Sequence, residues 1–213
     1  MFTFYQLLSM KIICIGRNYA AHAAELNNPI PETPLLFLKP DTAVLKDSKP
    51  FYHPDFSKDI HHEIEIVLKI SKNGKSIAPE FAHKYYEMAT LGIDFTARDL
   101  QAELKSKGHP WEISKAFDNS AVIGEFMPLS DLKSADGHID FKLLNNKTCV
   151  QHGNSSQMLT GFDALISYAS RFFTLQNGDL IFTGTPAGVA QVKTGDVLEG
   201  FVGETKLLHC EIR

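Results

Sequence analysis

The chain has 213 residues, 44% of them hydrophobic, and a formal charge of −4 at neutral pH. That length suffices for one domain with a sizeable core. The small acidic excess, with no basic stripe, argues against nucleic acid as a main partner. The longest apolar runs, such as PLLFL, are too short to span a bilayer, so no membrane partner is expected.

The opening MFTFYQLLSM has no basic start and no small-residue cleavage site, so it does not read as a secretory leader. Met10-Lys11 looks like a natural beginning, which sets residues 1–10 apart as an extension and 11–213 as the folded unit. Lys11–Ile15 reads as a strand turned by Gly16. Asn18 would cap a short helix, YAAHAAEL, that stops at Asn27-Asn28-Pro29. Residues 34–38 form a second strand, 51–56 are turn-rich, and 62–70 form a third strand followed by the loop SKNGKSI. Residues 79–89 look helical, with Phe81, Tyr85 and Met88 on one face, and 90–94 is a short apolar strand. Thr96, with Asp99 three residues on, would open a helix running to about Ser106 and ending near Gly108. Beyond 120 only 162–174 reads as helix, and strands are expected at 121–123, 138–144, 179–183, 197–202 and 206–212. The chain is therefore α+β with a β-rich second half. It lacks regular β-α-β alternation, GxGxxG and a Walker A sequence, which argues against a dinucleotide-binding fold. Cys14 and Cys210 lie in apolar stretches, and Cys149 has no metal-like spacing. Three such cysteines suggest a reducing compartment, so the expected location is cytoplasmic.

The stretch HHEIEIVLKI (61–70) carries the first chemical signal. Ile64, Ile66, Leu68 and Ile70 alternate, which places Glu63 and Glu65 together on the other face of a strand. Two carboxylates about 7 Å apart either face water or converge on a cation. Asp94, at a strand end before a helix, is a third candidate, because binding residues gather at the rims of scaffolds. Three oxygen donors without a cysteine pair suit Mg²⁺ or Mn²⁺ better than zinc, with His61 and His62 at the strand edge or in support. Arg98 lies in the first turn of a helix, where a cation is disfavoured. Either Asp99 neutralises it, or it points toward an anion near Asp94. His22 and Glu25 share a face of the first helix and read, on their own, as a surface pair. Lys115, between apolar residues, reads alone as a snorkelling surface group, and Thr185 as part of a plain Gly-Pro turn or an anion nest.

The string LGIDFTARDLQ (91–101), with HHEIEI (61–66), resembles the signature of the fumarylacetoacetate hydrolase superfamily. The likeness continues through CIGRNYAAHAAEL (14–26), FLKP (37–40), KGHPWEISKAFD (107–118) and GDLIFTGTPAGV (178–189), covering about residues 11–212. The short length, the GRNYAAHAAE opening and KGHPW resemble the acylpyruvase and oxaloacetate decarboxylase branch. One departure is NNKTCVQHGNSSQM (145–158), where relatives read Asn-Gly. Asn146 can adopt the same turn conformation and preserve the hairpin.

That resemblance implies a single α+β domain with a mixed β-roll or barrel-like core and peripheral helices, forming a homodimer. It implies Glu63, Glu65 and Asp94 as ligands of Mg²⁺ or Mn²⁺. His22 and Glu25 would be a lid dyad, with Glu25 orienting His22, which deprotonates water. Lys115 would face the substrate carbonyl or enolate oxygen, and Arg98, Gln101 and Thr185 would bind a small 2-oxo acid. Arg17 and Lys39 are weaker candidates within matching motifs. The implied activity is metal-dependent hydrolysis of a C–C bond in acylpyruvates, with decarboxylation or tautomerisation of oxaloacetate. The alternatives are an isomerase or hydratase of 2-hydroxyhepta-2,4-diene-1,7-dioate-type intermediates, and a catalytically idle, metal-stabilised binding protein.

Overall fold

The computed structural model describes residues 10–45 and 49–213. Apart from Met10, the expected extension lies outside the described residues. The chain opens with β1 (Ile12–Gly16), α1 (Ala20–Glu25) and β2 (Leu35–Lys39). Next come β3 (Ile60–His62), β4 (Ile64–Ile70), a single turn α2 (Pro79–Ala82), β5 (Tyr86–Asp94) and β6 (Thr96–Ala97). Helices α3 (Arg98–Lys107) and α4 (Glu112–Lys115) lead to β7 (Ala121–Ile123), β8 (Met127–Pro128) and the turn α5 (Leu129–Leu132). Hairpin strands β9 (Asp140–Asn145) and β10 (Thr148–Asn154) are followed by α6 (Phe162–Phe172). The chain closes with β11 (Leu180–Phe182), β12 (Ala190–Gln191), β13 (Val197–Val202) and β14 (Thr205–Glu211).

These strands make three open sheets, and no closed barrel forms among the described residues. The largest runs β2-β1-β11-β4-β5-β7, with β8 also on β5; a second runs β10-β9-β13-β14, and a third β12-β3-β6. Among the described residues β1 and β11 are the one parallel strand pair and the other strand pairings are antiparallel, while the isolated bridges Val44–Ala121 and Phe51–Ile212 are parallel. Strand β4 is central and covered on both sides. Ile64, Ile66 and Leu68 join the main core, while Val67 packs with Ile12, Cys14 and Phe182 on the other face. The four-stranded sheet lies so close over β4 and β5 that a Cβ on Gly200 would come 3.2 Å from Leu91 and 3.3 Å from Ile64. Helix α6 buries Leu165, Ile166 and Ala169, the one-sided spacing of an amphipathic helix.

Several expectations are corrected. The helix foreseen over 79–89 is one α-helical turn and a 3₁₀ turn, and from Tyr86 the chain is strand. Tyr86, Met88 and Ala89 pair with Ile70, Lys69 and Leu68, and sheet pairing there overrides helical periodicity. Asn18 does not cap α1, because its side chain instead bonds Thr160 and Thr183. Helix α3 begins at Arg98 without a side-chain cap, since Thr96 is paired in β6. Its C-terminus ends as expected, at Gly108 in the left-handed conformation (φ 67°). The hairpin is kept as expected, with Asn146 at φ 50° and Lys147 at φ 70°.

Candidate active site

Strand register builds the acidic floor. Ile64 pairs with Ile93 and Glu65 with Gly92, and the Asp94 N–H donates to the Glu63 carbonyl at 2.9 Å. Glu63 sits where the chain passes from the three-stranded sheet into the large one. Glu63, Glu65 and Asp94 are all buried, and one carboxylate oxygen from each lies within 4.8 Å of the others. The solvated-face alternative for Glu63 and Glu65 is thereby set aside, since both faces of β4 are covered.

Three cations meet this floor. Lys115, at the end of α4, donates to Glu63 Oε2 at 2.7 Å and Asp94 Oδ2 at 2.8 Å. Lys39, the last residue of β2, pairs with Asp94 Oδ1 at 2.8 Å and donates to Ser120 Oγ at 2.8 Å. Arg98 donates to Glu63 Oε1 at 2.5 Å and to Gln101 Oε1 at 2.7 Å. Asp99 does not neutralise Arg98; its carboxylate accepts from the Ser57 hydroxyl and the Lys58 N–H.

Burial pushes the Glu63 carboxyl up, but Lys115 and Arg98 outweigh it and hold it well below the usual range. Glu65 differs. It accepts the Gly184 N–H at 2.6 Å and forms no ion pair among the described residues. Burial, then the charges of Asp94 and Glu63, drive its carboxyl well up. A buried carboxylate beside two others with no cation of its own lacks the countercharge that a divalent ion would supply, and the all-oxygen donor set fits Mg²⁺ or Mn²⁺.

The remaining candidates converge on the same cavity, which His22, Arg98, Gln101, Lys115 and Thr185 line together with the three carboxylates. His22 Nδ1 lies 3.4 Å from Glu25 Oε2, and Glu25 also accepts the Gly188 N–H at 3.0 Å. Burial lowers the His22 imidazole, against the pull of Glu63 and Glu25. Thr185 Oγ1 accepts from Gln151 Nε2 at 2.8 Å. In the expected nest the Gly184 N–H is already committed to Glu65, and the Thr185 hydroxyl makes only a long 3.4 Å contact with the Pro186 carbonyl. A larger apolar groove of about 910 Å³ is lined by Leu38, Lys39, Phe56, Ile113 and Phe117. The acid–base groups converge in the polar cavity instead.

Residues 11–210 match the family described as Fumarylacetoacetate (FAA) hydrolase C-terminal. The chain belongs to the fumarylacetoacetate hydrolase family. It is 39% identical over 195 residues to a mitochondrial oxaloacetate tautomerase of Caenorhabditis elegans, covering 92% of this chain and 91% of that one. It is 41% identical over 190 residues to a mitochondrial oxaloacetate decarboxylase of Dictyostelium discoideum, covering 89% and 87%. Among solved structures it resembles fumarylpyruvate hydrolase from Pseudomonas aeruginosa in complex with Mn²⁺ and pyruvate. That likeness has a TM-score of 0.87 and 38% identity, over 95% of this chain and 88% of that one.

Within this family fold, sequence reasoning missed Gln151, left without a role inside the expected hairpin segment, and Lys105, which lines the cavity from α3. Lys105 was legible in principle, falling seven residues after Arg98 and four after Gln101 on one helical face. Gln151 carried no local signal.

Proposed function

We propose that this protein is a divalent-metal-dependent enzyme acting on short 2-oxo acids. It hydrolyses the C–C bond of acylpyruvates and also decarboxylates or tautomerises oxaloacetate. The observation that carries the reading is the buried trio Glu63, Glu65 and Asp94, bridged by Lys115 and facing His22 across one cavity. The relatives named as oxaloacetate tautomerase and decarboxylase support the oxaloacetate activities.

Glu63, Glu65 and Asp94 would hold the cation, which would supply Lewis acidity toward the carboxylate and 2-oxo group of the substrate. The Thr185 hydroxyl donates to the substrate carboxylate, and Arg98, positioned by Gln101, adds positive charge on the same side. Lys115 presents its ammonium to the oxygen where enolate charge grows, and stabilisation placed there lowers the barrier. For an acylpyruvate, His22 takes a proton from water as the water oxygen adds to the distal carbonyl, and Glu25 holds the imidazole in place. The C–C bond then breaks, its electron pair passing to the pyruvate enolate, which is protonated at carbon. The products are a carboxylic acid and pyruvate. Loss of CO₂ from oxaloacetate delivers the same enolate without an activated water.

Turnover of acetylpyruvate and oxaloacetate, with Mg²⁺, with EDTA and in His22→Ala, tests this. Both activities should need the metal, and His22→Ala should abolish acetylpyruvate cleavage while sparing decarboxylation. Failure of both substrates with metal present would sink the reading in favour of an isomerase.

A further inference from the structure

The cavity holds more positive charge than its floor requires. Three carboxylates are each within contact of Lys39, Arg98 or Lys115, or of one another. Two further cations line the same cavity, Arg17 and Lys105, and neither is left with an ion pair or hydrogen bond from its side chain among the described residues. Both are half-buried, whereas Glu63, Glu65, Asp94, Lys115 and Thr185 are buried, so the pair stands nearer the mouth. Burial without a countercharge is unfavourable for a cation. Burial, then Arg17, Arg98 and Lys115, push the Lys105 ammonium down to about 8, and burial also lowers Arg17. A bound divalent ion would add to this excess.

The Lys105 side chain and the Arg17 backbone are held in place. Arg98, Gln101 and Lys105 follow one face of α3, and the Lys105 Nζ stands 5.5 Å from the centre of the Trp111 ring, another cavity residue. Arg17 follows β1 at φ 58°, a conformation that long side chains rarely adopt. Such an outlier persists where neighbours enforce it. Here Asn18 does so, donating to the Thr183 carbonyl at 2.8 Å and the Thr160 carbonyl at 3.0 Å and accepting the Thr160 N–H at 2.9 Å.

We propose that Arg17 and Lys105 form a second anion subsite, at the mouth of the cavity, that takes the remote carboxylate of a dicarboxylic 2-oxo acid. The inference rests on the 2-oxo acid reading above and narrows it. Acids with a second carboxylate, such as oxaloacetate, are preferred over acylpyruvates with an apolar tail. Arg17 supplies a planar fork that matches a carboxylate, and Lys105 a point charge beside it.

The test uses two inert probes of equal carbon number, 2-oxoglutarate and 2-oxovalerate. They share the 2-oxo carboxylate and differ in having a carboxylate or a methyl at the far end. Neither has a carbonyl beta to the ketone. Titration calorimetry of the Mg²⁺-loaded protein should give roughly tenfold or greater preference for 2-oxoglutarate, the scale of a charge-assisted contact. That ratio should collapse toward one in Arg17→Gln and in Lys105→Gln, and recover in part in Arg17→Lys. Should Arg17→Gln not fold, Lys105→Gln decides alone, because it alters a side chain on a helix surface. A wild-type ratio near one, no binding of 2-oxoglutarate, or a ratio untouched by Lys105→Gln overturns the subsite. The measurement is independent of turnover. Loss of the catalytic reading with the ratio intact, and the reverse, are therefore separate results.

Discussion

Gln151 Nε2 donates to Thr185 Oγ1 at 2.8 Å, joining the four-stranded sheet to the loop after β11. The amide cannot be turned round. Its Oε1 accepts the Ile64 N–H at 3.1 Å, and its Nε2 also donates to the Pro186 carbonyl at 2.9 Å. Backbone groups thus fix both ends, so His62 Nδ1, 2.9 Å from Oε1, carries the proton. Thr185 Oγ1 is an acceptor toward Gln151, and its own proton has only a long 3.4 Å contact with the Pro186 carbonyl, which a substrate carboxylate can displace. Gln151→Leu strands the Ile64 N–H and the Pro186 carbonyl and should cost about 3 kcal/mol in urea unfolding. Gln151→Glu should still accept from Ile64 and His62, but draws the Thr185 proton away from the cavity. Its KM for oxaloacetate should rise more than its kcat falls. An unchanged KM would show that Thr185 does not need this orientation.

Metal removal should be readable without substrate. In wild type, Mn²⁺ at a hundredfold excess over its Kd should add about 2.7 kcal/mol of stability. Glu65→Gln keeps an oxygen for the Gly184 N–H and removes one of three crowded charges. In EDTA it should therefore melt no lower than wild type, and its Tm should hardly respond to Mn²⁺. A Tm response to Mn²⁺ as large as that of wild type would remove Glu65 from the ligand set.

The floor of the site was legible because it is local in sequence: Glu63 and Glu65 two apart on a strand, and Asp94 at a strand end. Alternation misjudged the other side of β4, because it registers one apolar face and cannot register a second layer such as Val67 on Phe182. Arg98 kept two readings in the sequence because its choice depends on Ser57 and Lys58, which claim Asp99 from some forty positions away. The 79–89 stretch misled for the same reason, since helical spacing was present and a strand partner decided otherwise. Gln151 reaches His62 across 89 positions and Thr185 across 34, a relation no local pattern encodes. Lys39 sat in a recognised motif, yet nothing in FLKP indicated that its side chain would be fully buried against Asp94.

His22 sets the acid side of the pH profile for acylpyruvate cleavage. As a base it must be neutral, and burial lowers its pKa below the ordinary 6.5. The midpoint of its protonation therefore lies below that value. kcat/KM for acetylpyruvate should fall on the acid side with a midpoint below pH 6.5. Stability follows the same sign: the folded state resists protonation that the unfolded chain accepts, so the His22 contribution is lost as pH falls below 6.5. An acid limb centred above pH 7 would assign the base to another group.

Gly188 fixes the other end of the dyad. Its N–H donates to both oxygens of Glu25, at 3.0 and 3.2 Å, while the same carboxylate faces His22. Its φ is +99°, and a Cβ there would come 2.3 Å from the Val150 carbonyl oxygen, a backbone atom that cannot swing aside. Gly188→Ala should therefore shift the loop and cost about 1–3 kcal/mol of stability. The shift releases Glu25 and leaves the His22 imidazole without its orienting partner. Acetylpyruvate hydrolysis, which needs an activated water, should fall by roughly a hundredfold, within the usual worth of a positioned base. Oxaloacetate decarboxylation, which needs none, should fall much less. Equal losses for the two substrates would mean that the loop serves the floor of the site and not the dyad.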